Sequence, residues 1–301
     1  MRRLLNKLEQ IYYYRHFSRV EEGPYRFLMR KIAKGTDIDF IERVWQMDHF
    51  REVLEPVPLG YDQWKNVLVL APHQDDEAIG CGGLLNLLAK QGCHLTIGFL
   101  TDGAEASDPE SSVPTRREEA ARASSLLGAQ MEELGIDNIE LEIDSNKLTK
   151  LVEWLDQGWD AVFTIWPLDQ PPKHRLCAYL LGKALERSRY VGELHLYAVH
   201  TDLLPNTYVD ITSVIDDKQE MIRAYASQLR AQRYDHLSLG MDAWRSRFLP
   251  VSSRARYIET FMTVPASAYM DLLTCYERVE VHRLFKGHRH CMDQFKKLKD
   301  L

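Results

Sequence analysis

The densest group of reactive side chains is Pro72-His73-Gln74-Asp75-Asp76-Glu77, an imidazole followed within four residues by three acids. Neighbouring carboxylates repel one another and hold on to protons unless something positive sits among them. A divalent cation is the natural compensation. Imidazole with carboxylate is a donor set that suits zinc, and three protein ligands leave a fourth position for water. A second run, Trp166-Pro167-Leu168-Asp169-Gln170-Pro171-Pro172-Lys173-His174-Arg175, adds another imidazole and another acid. A purely structural reading stays open here. Asp75 or Asp76 also suits the cap of a following helix, whose first N–H groups need acceptors.

The two runs can meet only if the fold brings them to one end of a sheet. Asn66 to Leu70 is continuously apolar, as a strand buried on both faces should be. Ala78 to Lys90 has helical spacing, with Gly92 placed to end it. His94 to Leu100 reads as a strand, Thr115 to Leu127 as a helix, Ile139 to Ile143 as a third strand and Leu148 to Leu155 as a helix. Ala161 to Ile165 (strand), Leu176 to Leu185 (helix) and Leu194 to Val199 (strand) continue the alternation. Strand–helix alternation predicts an α/β fold: a Rossmann-like three-layer sandwich with a mainly parallel sheet and a helical N-terminal extension. Both reactive runs follow strands, and sites in such sheets form beyond the carboxyl ends of the strands.

Composition narrows the function class. With 301 residues, 45% hydrophobic and 27% charged, the chain is an ordinary globular sequence. A net charge of −6 argues against a general nucleic-acid binder. No apolar run is long enough for a transmembrane segment. Five scattered cysteines without a C-x-x-C favour a reducing, cytoplasmic setting. Residues 1–35 hold nine Lys/Arg against three Glu, together with Tyr12-Tyr13-Tyr14. This basic segment suits packing on the main domain, or contact with a partner or membrane surface. Gly80-Cys81-Gly82-Gly83 is not a dinucleotide fingerprint, Gly182-Lys183 is not a phosphate loop, and neither G-x-S-x-G nor H-E-x-x-H occurs. His288-Arg289-His290-Cys291 reads as a solvated tail. Asp75 and Asp76 are too close in sequence to flank one glycosidic bond.

The strand followed by Pro72-His73-Gln74-Asp75-Asp76-Glu77 resembles the signature of the N-acetylglucosaminyl-phosphatidylinositol de-N-acetylase family, also called PIG-L or LmbE-like. The match continues in order. Leu100-Thr101-Asp102-Gly103 resembles its strand-end T-D-G. Arg116, Glu119, Ala123 and Leu127-Gly128 resemble its R-x-x-E helix. Asp169 through Arg175 falls on its D-x-H-P-D-H-R. Val209-Asp210-Ile211-Thr212, Lys218, Tyr225-Ala226-Ser227-Gln228 and Ala255-Arg256-Tyr257-Ile258-Glu259-Thr260-Phe261 resemble its later elements. The resemblance implies a deacetylase domain over 64–267, between a helical extension at 1–63 and a C-terminal helical extension at 268–301.

It further implies zinc, or Fe2+, held by His73, Asp76 and His174, with Asp75 as catalytic base and Arg116 contacting substrate. The implied reaction is hydrolysis of the acetamide of an N-acetylated sugar, glycoside or glycolipid. Three positions depart from the pattern. Gln74 replaces a proline and is expected to affect shape alone. Pro171 and Lys173 replace a histidine and an aspartate, the latter a residue that helps orient the site histidines. His200, just after a strand, is a candidate to replace the missing histidine catalytically. Asp102 and Lys173 are candidates for binding substrate. The same departures suit an alternative, a catalytically impaired metal-binding homologue that binds sugar or regulates.

Overall fold

The structure is a computed structural model that describes residues 56–300. The basic segment 1–35, and most of the expected N-terminal extension, lie outside the described residues. Asn66–Ala71 (β2) is the central strand, buried along its whole length after Asn66. Its side chains alternate between two cores: Val67, Val69 and Ala71 enter one, Leu68 and Leu70 the other. That two-sided burial is why the run is continuously apolar. Asp76–Lys90 (α1) leads to His94–Thr101 (β3), Pro109–Leu127 (α2) and Gln130–Ile136 (β4). The chain then returns through Ser145–Leu155 (α3) to Ala161–Ile165 (β5), which pairs with β2 on its other side. Pro172–Leu185 (α4) and Glu193–Tyr197 (β6) follow. With Val57–Pro58 (β1), Thr207–Asp210 (β7) and Ile258–Pro265 (β8), the sheet has eight strands in the order β1-β7-β8-β6-β5-β2-β3-β4. All pairings are parallel except those of β8, which runs antiparallel to both neighbours.

Helices cover both faces, as expected of a three-layer sandwich. One core lies under α1, α2 and Ile215–Arg223 (α5). The other holds α3 and α4 with Ala266–Arg278 (α8) and Arg289–Asp300 (α10), the short Val281–Leu284 (α9) lying between them in the chain. Leu272, Phe285 and Phe295 are buried in the same core as α4, and α8 begins at Ala266, so the C-terminal helices form part of this layer. Ala226–Ala231 (α6) and Tyr234–Arg245 (α7) lie between α5 and β8 in sequence.

Three local differences from the sequence reading have physical causes. Helix α2 begins six residues before Thr115, because Asp108 accepts the Ser111 N–H at 3.3 Å and Pro109 takes the first helical position, where a missing N–H costs little. The third strand is Gln130–Ile136, not Ile139–Ile143. β4 is an edge strand with polar, partly exposed side chains, so it shows no continuous apolar run. Ile139 to Ile143 instead follows a turn in which Asp137 Oδ1 accepts from the N–H groups of Ile139 (2.7 Å) and Glu140 (2.8 Å). Val57–Pro58 is a short edge strand beside β7 within the stretch read as mainly helical or loop.

Helix α1 breaks at Cys81, where φ is −144°. The Glu259 carboxylate accepts from the N–H groups of Gly83 (2.7 Å) and Leu84 (2.8 Å) just beyond the break. Lys218 Nζ lies 2.8 Å from Glu259 and 2.6 Å from Asp242, all three fully buried. Removing one member of a buried pair typically costs about 3–5 kcal/mol. This trio therefore fixes the second half of α1 against α5, α7 and β8, and with it the first turn that carries Asp76.

Candidate metal centre

After β2 the chain moves outward to β3 and β4. It then crosses back to β5, so the sheet reverses its winding between β2 and β5. Loops leaving the carboxyl ends of these two strands diverge and open a crevice. His73 and Asp76 leave β2, and Asp169 and His174 follow β5. They converge there.

Three donor atoms face one another. His73 Nδ1 and His174 Nε2 are 3.0 Å apart, and Asp76 Oδ2 is 3.3 Å from each. Donors around a tetrahedral cation with bonds of about 2.0–2.1 Å lie roughly 3.3 Å apart, so the triangle matches such an ion. Asp76 Oδ2 also accepts from the His73 N–H at 2.8 Å, which locks the carboxylate over the turn.

The ring tautomers follow from the outer partners. His174 Nδ1 donates to Asp169 Oδ2 at 2.7 Å, and His73 Nε2 donates to Asn138 Oδ1 at 2.9 Å. With both rings neutral, each turns an unprotonated nitrogen to the centre, the arrangement a metal-binding histidine adopts. Asp169 is fully buried and its other oxygen accepts from the N–H groups of His200 (3.0 Å) and Thr201 (2.9 Å) and from Thr201 Oγ1 (2.8 Å). Burial, helped by His174 and Arg116, drives the His73 pKa down to about 4, so its imidazole is neutral near pH 7. Burial alone would raise the Asp76 pKa, but His174 and His73 beside it hold its carboxyl below the usual range. Burial lowers the His174 pKa, but Asp76 and Asp169 beside it give a net rise, so a proton on His174 offsets the Asp76 carboxylate, and a cation bound among the three donors would take over that role.

Asp75 adjoins this triangle on the turn between β2 and α1. Its φ is 128°, a strained backbone for a residue with a Cβ, and such strain persists where surrounding structure imposes it. Its carboxyl is buried, and burial with the charge of Asp76 raises its pKa well above the ordinary value, against the pull of Arg116. A carboxyl with a raised pKa accepts a proton more readily than a free one and can return it. Glu77 supports the turn: Oε2 accepts the Asp75 N–H at 3.2 Å, Oε1 accepts the Tyr225 hydroxyl, and burial raises the Glu77 pKa to about 7.

The other candidate residues sit around this core in different ways. Arg116 is buried; it donates to the Gln74 carbonyl at 3.2 Å and to Gln228 Oε1, while its Nε has no hydrogen-bond partner. One turn on, Glu119 accepts from Ser227 N (2.8 Å) and Oγ (2.6 Å). The R-x-x-E helix and the Ser227-Gln228 segment are therefore direct partners. Asp102 does not present a free carboxylate oxygen pair to the crevice; its Oδ1 accepts from the N–H groups of Ala104 (3.0 Å) and Asn138 (2.9 Å). Lys173 is half-buried and donates to the Asn138 carbonyl. The His200 ring is exposed at the mouth, 5.5 Å from that of His174 and 6.0 Å from that of Tyr234.

Sequence reasoning missed Asn138, because placing the third strand at Ile139–Ile143 hid the carboxyl end of β4. It also undervalued Gln74. That side chain is fully buried and donates to the Thr101 carbonyl at 2.9 Å, tying the turn that carries His73 and Asp76 to the end of β3. Gly103 allows this close approach: at φ 70°, a Cβ there would lie 2.4 Å from both Gln74 Oε1 and Arg116 Cδ.

Residues 68–185 match the family model described as PIG-L, GlcNAc-PI de-N-acetylase. Diacetylchitobiose deacetylase of Thermococcus kodakarensis is 27% identical over 192 residues, which cover 56% of this chain and 72% of that protein. 4-Oxalmesaconate hydratase of Pseudomonas putida is 26% identical over 197 residues, covering 56% of this chain and 76% of that protein. Among solved structures, N,N'-diacetylchitobiose deacetylase from Pyrococcus horikoshii superimposes with a TM-score of 0.61 at 25% identity, over 73% of this chain and 91% of that one. The family match spans β2 through α4, the segment that carries His73, Asp75, Asp76, Arg116 and His174, and this segment matches the PIG-L/LmbE-like deacetylase family.

Proposed function

We propose that the protein is a metal-dependent amide hydrolase that removes the acetyl group from an N-acetylated sugar or glycoside, with zinc as its metal and Fe2+ fitting the same donors. The observation that carries this reading is the triangle of His73 Nδ1, His174 Nε2 and Asp76 Oδ2 beside a buried carboxyl, Asp75, of raised pKa. A divalent cation bound there supplies Lewis acidity, which lowers the pKa of water from 15.7 to about 7 and polarises an amide carbonyl. Asp75 takes the proton of the attacking water and returns it to the departing nitrogen, so that acetate and a free amine leave. Arg116, held by Gln74 and Gln228, fixes a positive charge beside Asp75 and contacts a bound substrate through that charge.

His200 stands in for the histidine that Pro171 displaces. Its backbone is anchored on Asp169, and its exposed ring lies over the mouth of the site, from where it donates to the developing oxyanion. Losing one oxyanion donor costs about 10²–10³ in rate. His200→Ala is therefore expected to lower kcat by about that factor with metal content unchanged; unchanged turnover contradicts the role.

The relationship to 4-oxalmesaconate hydratase supports a second reading, in which the same centre activates water for addition to a carbon–carbon double bond. A panel of N-acetylhexosamine glycosides and unsaturated dicarboxylic acids separates the two. Acetate release supports the first reading and loss of unsaturation the second. Bound metal with neither product supports a sugar-binding or regulatory homologue.

A further inference from the structure

We propose that Asn138 is the positioning residue for the His73 imidazole, and that Lys173 clamps Asn138 in place. The two rings at this centre are held by different chemistry. His174 is held by a carboxylate, Asp169; His73 is held by a neutral amide on the loop after β4.

All four polar groups of Asn138 are used. Its N–H donates to Asp102 Oδ1 (2.9 Å), its Nδ2 donates to the Ala104 carbonyl (3.0 Å), its carbonyl accepts from Lys173 Nζ, and its Oδ1 faces His73 Nε2 (2.9 Å). Because Nδ2 is committed as a donor, Oδ1 is the acceptor and His73 Nε2 carries the proton. The lone pair is then on Nδ1, the atom that faces Asp76 and His174. The turn itself does not need this side chain, since Asp137 already accepts the N–H groups of Ile139 and Glu140. The Asn138 side chain, 8% exposed, is spent on the ring.

Lys173 explains why the clamp is built this way. It precedes His174 in the first turn of α4, in the place where the D-x-H-P-D-H-R pattern has an acid that orients a site histidine. A lysine cannot accept a proton from His73. It instead holds the carbonyl of a residue from another strand end that can. Asp102, fixed by the N–H of Ala104 as well, holds the Asn138 N–H. A neutral amide draws on the imidazole proton less than a carboxylate does, so His73 is the weaker donor of the pair and Asn138 sets how firmly it binds.

This inference rests on the metal-centre reading, and the test keeps the two apart. Zinc affinity of the full chain is measured by competition with a chromogenic chelator. The variants are Asn138→Ala, Asn138→Asp and Lys173→Met, and the cobalt(II) absorption spectrum of each reports the ligand set. Loss of a partner to a metal-bound histidine typically costs about 10–100-fold in affinity. Asn138→Ala is expected to weaken zinc by that factor. Lys173→Met is expected to weaken it in the same direction, by less, without touching the amide. Asn138→Asp, which keeps an acceptor, is expected to bind at least as tightly as the parent. Affinities of Asn138→Ala and Lys173→Met within twofold of the parent overturn the clamp, as does an Asn138→Asp protein as weak as Asn138→Ala. If Asn138→Ala fails to fold, Lys173→Met and Asn138→Asp decide. A parent protein that binds neither zinc nor cobalt overturns the metal-centre reading itself and the clamp with it.

Discussion

Asp75→Asn is expected to lower kcat for acetamide hydrolysis by about 10²–10⁴, the usual contribution of a positioned general base, while the protein keeps its metal. The two halves of that result have separate causes. Asp75 is not one of the three converging donors, so its carboxylate is not needed to hold the ion. Asparagine tolerates positive φ as well as aspartate does, so the strained turn at 128° survives the change. What disappears is the carboxyl proposed to shuttle the proton, and with it the repulsion between Asp75 and Asp76. Steady-state kinetics with metal analysis of the same sample checks this. A kcat within threefold of the parent removes Asp75 from the chemistry, and loss of the metal shows that it helps to hold the ion.

His174→Ala should give the opposite pattern: loss of the metal first, and of turnover as its consequence. His174 supplies one of three donors and is 1% exposed, and its Nδ1 is a buried partner of Asp169. Its removal leaves that carboxylate oxygen without a donor, at a cost of about 1–3 kcal/mol or more for a charged group. The variant is therefore expected to melt below chelator-treated parent protein, which lacks the ion but keeps the Asp169 bond. Calorimetry of the two metal-free samples checks the stability difference. Equilibrium dialysis against zinc checks the donor role, and retained binding together with full turnover contradicts it.

The contrast between strands shows what the sequence made legible. β2 and β5 lie in the middle of the sheet with both faces covered, so Val67 to Ala71 and Ala161 to Ile165 are buried throughout, apolar except at Thr164, and stand out. Those strands also aim the two reactive runs, which is why the order of motifs reached His73, Asp75, Asp76 and His174. β4 is an edge strand whose polar residues meet solvent, and Leu141 and Ile143, buried outside any strand, mimic one. Misplacing that edge hid Asn138. The clamp was illegible for a second reason: Asn138, Asp102 and Lys173 come from three strand ends, and only the folded sheet brings them together. Gln74 shows the converse. Its position marks a departure from a proline, and its buried bond to Thr101 becomes visible only once β2 and β3 are paired. Lys218 and Glu259 stood out as motif residues without a task. The break in α1 at Cys81, within Gly80-Cys81-Gly82-Gly83, supplies it.

The most direct measurement is acetate release by the full chain from an N-acetylglucosamine glycoside, followed as metal is withdrawn and returned. Chelation is expected to abolish release. One equivalent of zinc or iron(II) per chain should restore it, with one acetate formed for each free amine. Release that persists in metal-free protein, or a metal-loaded protein that frees no acetate from any N-acetylated sugar in the panel, would contradict the proposed activity.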